Sequence, residues 1–370
     1  MTIKAIGYAA SSARAKLKPL ALERQDPLPN EVQIAVLYCG VCHSDIHQCE
    51  NDWGNTVYPC MPGHEVVGRV VNKGSLVTKH AIGDLVGVGC MIDSCHECAP
   101  CLAGDEQYCE GPNSWLATYN GPMKPAKQAR TGENMYGRDN TFGGYSDQIV
   151  VREDFVLKIP AALPIEAAAP ILCAGVTTYS PMKHWGVKPG HKVGVVGFGG
   201  LGDMAVKIAR AMGADVTVFT RDKDKVAEAH RLGAKSVVEG DDEAYKALEG
   251  HFDFIISTVP EKHEVDPFIP LLRRDGAFVA VGALAPMPGW NHMNVVMGRK
   301  TIAGSLIGSI AETQEVLDFC AQHNIAPDIQ LIPIQEINEA YKYVKSGDVR
   351  FRYVIDAASL AQDKPQIKAA

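Results

Sequence analysis

The hydrophobic pattern of the chain changes character near residue 190. Before that point, short apolar runs at 32–38, 64–71 and 85–89 are separated by Gly, Pro and Asn, which is typical of short strands joined by loops. After it, apolar strands alternate with segments whose apolar residues recur at helical spacing. The first pattern predicts an all-β, barrel-like unit. The second predicts an α/β unit with a doubly wound parallel sheet.

The later part of the chain has the clearer pattern of elements. A helix is predicted over 201–212, where apolar residues fall on one face and Gly213 follows as a stop. A second helix is predicted over 312–323, before a closing strand at 353–355. The predicted parallel strands lie at 192–197, 215–220, 236–239, 252–259, 277–284 and 301–308.

The length of 370 residues is comfortable for two domains. We assign the C-terminal helix and closing strand back to the all-β unit. The expected organisation is therefore a first domain of residues 1–152 and 308–370, and a second domain of residues 153–307.

Composition excludes several classes of function. Hydrophobic residues make up 46% and charged residues 21%, a normal globular balance, and the formal net charge is −7. A nucleic-acid partner is not expected, because neutralising phosphates needs a clustered excess of Lys and Arg. No apolar run approaches the roughly 20 residues that span a bilayer, and no secretory signal is recognised. We expect a cytoplasmic protein with neither a nucleic-acid nor a membrane partner.

A glycine-rich turn lies between the first strand and the first helix of the second domain. Residues 197–202 fit G-x-G-x-x-G. Gly197 permits a tight turn, Gly199 lets the backbone approach a pyrophosphate, and Gly202 allows close helix–strand packing. Gly200 and Leu201 start the helix, whose N-terminus carries partial positive charge. The strand–turn–helix context predicts a dinucleotide site rather than a glycine turn without a ligand.

The end of the next strand indicates which dinucleotide binds. Sites for NAD place an acidic residue about 20 positions after the glycines, where it holds the ribose hydroxyls. Here Thr220 stands at that place, followed by Arg221 and Lys225. A hydroxyl and two cations suit a 2′-phosphate, so we predict a preference for NADP. Two alternatives stay open at this point: Asp222 pairs with Arg221, or the charges form a solvated loop.

Four of the eleven cysteines lie close together, at Cys95, Cys98, Cys101 and Cys109. In a reducing compartment disulfides do not persist, so clustered cysteines more often serve metals or catalysis. Closely spaced thiolates on a loop can surround Zn²⁺ at about 2.3 Å. Four thiolates leave no position for a substrate, which predicts a structural zinc site. An iron–sulfur cluster is the nearest alternative.

A more dispersed set contains two cysteines and a histidine. Cys42 lies in CGVCHSDIH, His64 in PGHEVVG and Cys173 in LCAGVTTYS. Such a set suits a catalytic zinc, which keeps its fourth position for water or a substrate oxygen. Spacing alone does not establish the set, because a single buried cysteine is more often a small hydrophobic residue. The remaining cysteines are interpreted as structural: Cys39, Cys49, Cys60, Cys90 and Cys320.

Together these motifs resemble a known family. CGVCHSD, GHE, the four-cysteine segment, Cys173 and GFGGLG are similar to the zinc-containing medium-chain alcohol dehydrogenases. The fuller segments YPCMPGHE, GDLVGVGC, LCAGVTTYSP and GSLIGS resemble the cinnamyl alcohol dehydrogenase subgroup and its microbial broad-range, NADP-dependent aldehyde reductases. The similarity runs over nearly the whole chain. It implies that 1–152 and 308–370 form a mainly β, GroES-like catalytic domain, and 153–307 a Rossmann-type dinucleotide-binding domain.

The resemblance also implies a ligand set for each of two zinc ions per chain. The catalytic zinc would be bound by Cys42, His64 and Cys173, with Glu65 as an occasional fourth ligand. The structural zinc would be bound by the four clustered cysteines. Asp45 matches the residue that orients the histidine ligand, as metal sites commonly require.

The implied reaction interconverts aldehydes and primary alcohols with NADP(H), over a broad range that includes aromatic aldehydes. Zinc polarises the carbonyl, NADPH delivers hydride, and Ser44 and His47 form the proton relay. The family implies a homodimer. The alternative function is an NAD-dependent polyol or secondary alcohol dehydrogenase of the same superfamily. A metal-free quinone or enone reductase and a non-enzymatic NADP-binding protein are disfavoured, because the ligand positions are intact.

Two segments depart from the subgroup pattern. Asp203 stands where members often have histidine, and a carboxylate near the pyrophosphate would weaken cofactor binding slightly. The stretch at 113–141 is longer than usual and carries Lys124, Lys127 and Arg130. We expect it to form a loop near the substrate cleft, with Trp53 as a wall of the pocket.

Overall fold

The computed structural model describes residues 2–111, 115–121, 141–282, 286–347 and 352–363. Lys124, Lys127 and Arg130 of the long segment lie outside the described residues, and so does residue 284 at the end of a predicted strand. The chain forms two compact units, Met1–Cys173 with Ser309–Ala370 and Ala174–Gly308. Among the described residues, no helix is long and apolar enough to cross a membrane.

The elements are numbered in chain order. The strands are β1 (Thr2–Ala9), β2 (Lys18–Gln25), β3 (Glu31–Gly40), β4 (Val66–Lys73), β5 (Leu85–Val88), β6 (Met91–Asp93), β7 (Leu116–Ala117), β8 (Gln148–Arg152), β9 (Leu157–Lys158), β10 (Lys192–Val196), β11 (Asp215–Thr220), β12 (Lys235–Val238), β13 (Phe252–Ser257), β14 (Leu272–Ala280), β15 (Thr301–Gly304), β16 (Ile329–Pro333) and β17 (Arg352–Asp356). The α-helices are α1 (His43–Glu50), α2 (Ala99–Ala103), α3 (Ile165–Pro170), α4 (Val176–His184), α5 (Gly200–Ala211), α6 (Val226–Arg231), α7 (Asp242–Ala247), α8 (His292–Val296), α9 (Ile310–His323) and α10 (Ile337–Ser346).

Several shorter helical turns complete these elements. A π-helical turn spans Ile171–Gly175. The 3₁₀ turns are Glu106–Tyr108, Glu153–Phe155, Lys223–Lys225, Asp266–Phe268, Ile334–Glu336 and Ala357–Asp363.

The first unit is built around a mainly antiparallel sheet with the order β16-β17-β3-β4-β5-β9, in which β8 also pairs with β3. Its central strand β3 alternates buried apolar residues, and Val32 and Ile34 have no exposed surface. The C-terminal strand β17 pairs antiparallel with β3, through Val354 opposite Gly40. The C-terminal strand therefore belongs to the first unit.

The second unit is a parallel sheet with the order β12-β11-β10-β13-β14-β15. Every neighbouring pair in it is parallel. Its aromatic core includes Phe219, Phe252, Phe268 and Phe278, all at most 3% exposed. This order reverses around β10 and β13, which is the doubly wound arrangement that the alternating pattern predicted. The predicted fold class is confirmed.

Candidate active site

The N-terminus of α1 positions the first candidate ligand. Cys42 is the N-cap of this helix, with extended backbone angles and 3% exposure. Its backbone N–H donates to Asp45 Oδ2 at 2.9 Å, while its sulfur accepts from the Asp45 backbone N–H. This reciprocal capping fixes the sulfur at a helix N-terminus, where the partial positive charge stabilises a thiolate.

His64 precedes β4 and is held by the same carboxylate. Its Nδ1 lies 3.1 Å from Asp45 Oδ1, and both side chains are buried. The backbone N–H of Gly63 donates to the same oxygen at 3.0 Å. Because Nδ1–H is used in the bond to Asp45, Nε2 is the nitrogen available to a metal.

Cys173 lies far along the chain, in the π-helical turn Ile171–Gly175. This turn follows α3 directly, and Pro170 at the end of α3 has no N–H to continue the regular hydrogen-bond ladder. Single π-helical turns occur frequently at functional sites. Here the turn carries a sulfur that is 6% exposed.

These three side chains and Glu65 converge on one buried point, the mixed-ligand site. One ligand atom from each of Cys42, His64, Glu65 and Cys173 lies within 4.8 Å of the other three. A tetrahedral zinc with bonds of about 2.3 Å places sulfur ligands about 3.8 Å apart, so the cluster has suitable dimensions. Two sulfurs and an imidazole are the donor types that Zn²⁺ prefers, and the residues fit the metal.

The sulfurs of Cys42 and Cys173 share a hydrogen bond, as expected of two thiols that would bind the same metal. A hydrogen bond from Cys173 lowers the pKa of Cys42 well below its usual value, and the same bond raises the pKa of Cys173. Metal binding requires both sulfurs to lose their protons.

The two carboxylate oxygens of Glu65 have different surroundings. Arg352 forms a buried ion pair with Oε1, whereas Oε2 is buried and has no hydrogen-bond partner among the residues that the structure describes. Burial raises the pKa of Glu65 to about 7, although Arg352 opposes this rise. Gly40 provides the space for the free oxygen, since a Cβ there would lie 1.9 Å from Oε2. An unsatisfied buried acceptor of this kind is expected beside a cation.

The residues of the predicted proton relay lie on α1. Ser44 and His47 are three positions apart and thus on the same side of the helix. His47 Nδ1 lies 2.7 Å from Asp52 Oδ2, so Asp52 supports the ring from one side. His47 Nε2 is buried and has no hydrogen-bond partner within the described part of the chain. The histidine therefore has one nitrogen fixed by a carboxylate and one available for proton exchange. Its ring lies 6.1 Å from that of Trp53.

The glycine turn of the second unit has the geometry that each glycine predicts. Gly197 has φ +85°, which favours glycine, and Gly199 has open space where a Cβ would stand. At Gly202 a Cβ would lie 2.3 Å from the carbonyl oxygen of Gly197. Gly199 is the N-cap of α5, so the helix that includes Gly200 and Leu201 starts at the turn. The turn can therefore accept a pyrophosphate at a helix N-terminus.

The end of β11 presents cations beside a buried hydroxyl. Thr220 is 3% exposed, and its Oγ1 accepts from the Asp222 N–H at 3.2 Å. Asp222 Oδ1 accepts from the Asp224 N–H and caps the turn Lys223–Lys225. Arg221 is exposed, and its charge acts on Glu239, whose pKa is nevertheless raised by burial. Sequence reasoning did not connect this carboxylate with Arg221, because Glu239 follows the neighbouring strand β12.

The unusual Asp203 has a cation beside it. Lys207 Nζ donates to Asp203 Oδ2 at 2.8 Å, one turn along α5. This neutralisation reduces the repulsion that the carboxylate would exert on a bound pyrophosphate.

The second candidate metal site is the four-cysteine site, formed by the clustered cysteines. All four sulfurs lie within 4.8 Å of one another. Cys95 and Cys101 sulfurs are 3.9 Å apart, and Cys98 and Cys109 sulfurs are 4.0 Å apart. Both distances are close to the edge of about 3.8 Å expected for a tetrahedral zinc–thiolate site. The four-cysteine site therefore fits zinc as well.

Backbone donors support these sulfurs. The Glu110 N–H donates to Cys98 and lowers its pKa to about 6, and the Gly111 N–H donates to Cys109. Burial raises the pKa of Cys109 to about 12, so a metal must displace that proton. A Cβ at Gly111 would lie 2.3 Å from the Cβ of Cys95, so only glycine fits there.

Sequence reasoning missed several residues that support these sites. Asp52 and Arg352 lack any local motif, and Tyr145, which donates to Asp45, lies 100 positions away from it. Gly40 and Gly111 stand beside the motifs, but nothing in a single sequence shows that their missing Cβ atoms make room for Glu65 and Cys95. Only the fold brings these residues together.

Two family models and several known proteins match this chain. The model of the alcohol dehydrogenase GroES-like domain matches residues 28–161, and that of the zinc-binding dehydrogenase matches residues 200–322. The chain is 50% identical over 364 residues to the aldehyde reductase YahK of Escherichia coli (strain K12), covering 97% of this chain and 99% of that protein.

Two solved structures are also closely similar. A cinnamyl alcohol dehydrogenase from Sorghum bicolor has a TM-score of 0.89 and 41% identity, with 96% of this chain and 98% of that chain covered. The CAD from Helicobacter pylori, complexed with NADP(H), has a TM-score of 0.87 and 40% identity, with 97% and 99% covered.

Proposed function

The chain belongs to the zinc-binding alcohol dehydrogenases, and from that premise we propose the chemistry of its two metal sites and its cofactor site. The enzyme is an NADP-dependent zinc oxidoreductase that interconverts aldehydes and primary alcohols. We extend this to a broad range of substrates that includes aromatic aldehydes. The observation that carries the proposal is the convergence of Cys42, His64 and Cys173 with a Glu65 oxygen that no other described residue hydrogen-bonds.

The mixed-ligand site is proposed as the catalytic one. Cys42, His64 and Cys173 would hold the zinc, and Glu65 lies close enough to be an occasional fourth ligand. When bound there, zinc supplies a Lewis acid for the carbonyl oxygen. Burial of all four side chains keeps water away from the charged ligands and strengthens their electrostatic effect. The four-cysteine site, with no open position, is proposed to bind the structural zinc.

The proton path is proposed to use Ser44 and His47. Ser44 would pass a proton to or from the alcohol oxygen, and His47 would exchange it at Nε2. Asp52 accepts from His47 Nδ1–H, which fixes the tautomer and the orientation of the ring. With Nδ1 held by Asp52, Nε2 is the ring nitrogen that would take up or release the proton.

The cofactor contacts are proposed on the second unit. Gly197, Gly199, Gly200, Leu201 and Gly202 would hold the pyrophosphate at the start of α5. Thr220, Arg221 and Lys225 would hold the 2′-phosphate of NADP. The capping role of Asp222 supports this assignment, because its carboxylate already accepts from the Asp224 N–H.

A homodimer is proposed from the exposed side of the second unit. Strand β15 forms one edge of the parallel sheet. The preceding helix α8 and its C-cap expose Met293, Val296 and Met297 at 58%, 70% and 77%. A strand that ends the sheet of the described residues, near an exposed apolar patch, is suited to pairing with a second copy. Sedimentation equilibrium should give twice the chain mass, and Val296→Glu should shift the protein towards monomer; a monomeric wild type would contradict the assignment.

A cytoplasmic location is proposed from the cysteines. Six of them, Cys42, Cys173 and the four clustered cysteines, supply sulfur atoms to the two candidate metal sites. Both candidate zinc sites need those thiols reduced, which the cytoplasm maintains.

One assay tests the proposed function directly. Purified enzyme should oxidise NADPH in the presence of benzaldehyde or butyraldehyde and should contain about two zinc ions per chain. Cys42→Ala and His64→Ala should lose turnover and one zinc while still binding NADPH. Cys320 is also buried but lies outside both metal sites, so Cys320→Ala should keep its turnover and both zinc ions. Activity only with sorbitol and NAD, or full turnover in Cys42→Ala, would contradict the proposal.

A further inference from the structure

Asp45 is a buried carboxylate with four donors. Oδ1 accepts from the Gly63 N–H at 3.0 Å and from His64 Nδ1 at 3.1 Å. Oδ2 accepts from the Cys42 N–H at 2.9 Å and from the Tyr145 hydroxyl at 3.3 Å. A carboxylate offers about four lone-pair positions, so this one is fully used. It connects the two segments that carry Cys42 and His64.

Tyr145 differs from the other three donors. The others belong to the two ligand-bearing segments themselves, whereas Tyr145 comes from the segment before β8 and binds no metal. Its side chain has no exposed surface. Its only polar side-chain atom is therefore directed at a group one step removed from the metal ligands.

The backbone holds Tyr145 rigidly in this position. Its N–H donates to the Pro62 carbonyl at 3.0 Å, and its carbonyl accepts from the Tyr8 N–H at 2.9 Å. Gly63, with φ +105°, lies so close that a Cβ there would be 2.6 Å from the Tyr145 nitrogen. Burial and the charge of Asp45 raise the pKa of Tyr145 well above its usual value, so the hydroxyl stays protonated and donates.

We propose that Tyr145 is a positioning residue for the catalytic zinc, which acts by completing the hydrogen bonds of Asp45. The inference rests on the proposed function of the mixed-ligand site. Without the hydroxyl, a buried carboxylate oxygen loses a donor, and Asp45 must move or admit water to recover one. Either change loosens the Asp45 bond to His64 and the Asp45 bond to the Cys42 backbone. The catalytic zinc is then held less firmly.

The size of the effect follows from the position of Tyr145. Removing a direct partner of a metal ligand typically costs 10–100-fold in metal affinity or activity. The Tyr145 bond is the longest of the four and acts through Asp45. We therefore expect an effect at the lower end of this 10–100-fold range, which is about a tenfold faster release of one zinc.

The test compares Tyr145→Phe with Tyr8→Phe in the zinc-loaded enzyme. Tyr8 is a matched control, because it is also buried and its hydroxyl donates to a carboxylate, that of Asp363, at 3.1 Å. Zinc release to a chromophoric chelator is followed by absorbance, and the melting temperature is measured in parallel. Tyr145→Phe should release one of two zinc ions about tenfold faster, and Tyr8→Phe should release both at the wild-type rate even where its melting temperature falls.

A double-mutant cycle with Asp45→Asn shows whether Tyr145 acts through Asp45. In the Asp45→Asn background, Tyr145→Phe should add little to the release rate. The cobalt-substituted Tyr145→Phe enzyme should also show an altered visible spectrum, which a purely structural change would leave as it is. Equal zinc release in wild type and Tyr145→Phe, or the same acceleration in both backgrounds, would overturn the proposal. So would a Tyr145→Phe chain that fails to fold where Tyr8→Phe folds. A wild type that holds one zinc only, on the four cysteines, would instead contradict the proposed function.

Discussion

His47 Nε2 and Glu65 Oε2 are two of twelve buried side-chain atoms of the first unit that have no hydrogen-bond partner among the described residues. Buried polar atoms are normally satisfied, so an unsatisfied atom that lies at a candidate site is consistent with a partner that binds there. For Glu65 the proposed partner is the catalytic zinc, and for His47 it is the group that exchanges a proton. These two atoms therefore support the active site that the sequence motifs predict.

Cofactor choice is tested at the same scale by Arg221→Ala. Losing a charge-assisted contact of about 1.5–3 kcal/mol should reduce kcat/KM for NADPH by roughly 10–100-fold and leave that for NADH nearly unchanged. Arg274→Ala is the matched control, because this arginine of the same unit is 83% exposed. An unchanged ratio of the two kcat/KM values in Arg221→Ala would remove the residue from the 2′-phosphate site.

At the scale of elements, periodicity located the strands and helices better than it located their ends. The strand predicted at 215–220 matches β11, and the helix predicted at 312–323 lies within α9. By contrast, β14 begins at Leu272, five positions before the prediction, because polar Arg273, Arg274 and Asp275 interrupt its apolar pattern. Helix α1 was missed for a similar reason. Its first turn is set by capping between Cys42 and Asp45, and its apolar face is too short to show in the sequence.

The four-cysteine loop gives a prediction at this scale. Gly111→Ala should place a Cβ against Cys95 and weaken the site, so that the zinc content falls from about two towards one per chain. The melting temperature should fall with it, because a structural zinc contributes to folding. Gly289→Ala is the control, since a Cβ there has open space. Full zinc content in Gly111→Ala would show that the loop accommodates the methyl group.

At the scale of the whole molecule, the sequence was sufficient for the fold class and for the motifs of both zinc sites. The parallel, doubly wound sheet and the glycine turn between its first strand and helix both follow from local pattern. The convergence of Cys42 with Cys173 does not, because it depends on long-range pairing that no local pattern encodes. Neither does the pairing of Arg352 with Glu65, 287 positions apart.

The pH dependence of stability is a property of the whole molecule that His80 should influence. Burial lowers the pKa of His80 below 6.5, although its hydrogen bond to the Val156 carbonyl and Asp84 oppose the shift. The unfolded chain therefore takes up this proton more readily. The contribution of His80 to stability is complete above pH 6.5 and is lost as pH falls through the lower folded pKa.

His80→Gln removes this titration while keeping a donor for the Val156 carbonyl. In urea unfolding between about pH 7 and pH 5, the free energy of unfolding should fall more steeply for wild type than for the variant. Parallel curves for the two proteins would show that His80 does not titrate on unfolding in this range.

The central claim is that Cys42, His64 and Cys173 bind one zinc ion in the active enzyme. Crystals of an active preparation, measured at the zinc absorption edge, test it most directly. We predict one anomalous peak at about 2.3 Å from both sulfurs and about 2.0–2.1 Å from His64 Nε2, with a second peak among the four clustered cysteines. An enzyme that turns over aldehyde but shows no peak between Cys42, His64 and Cys173 would contradict the account.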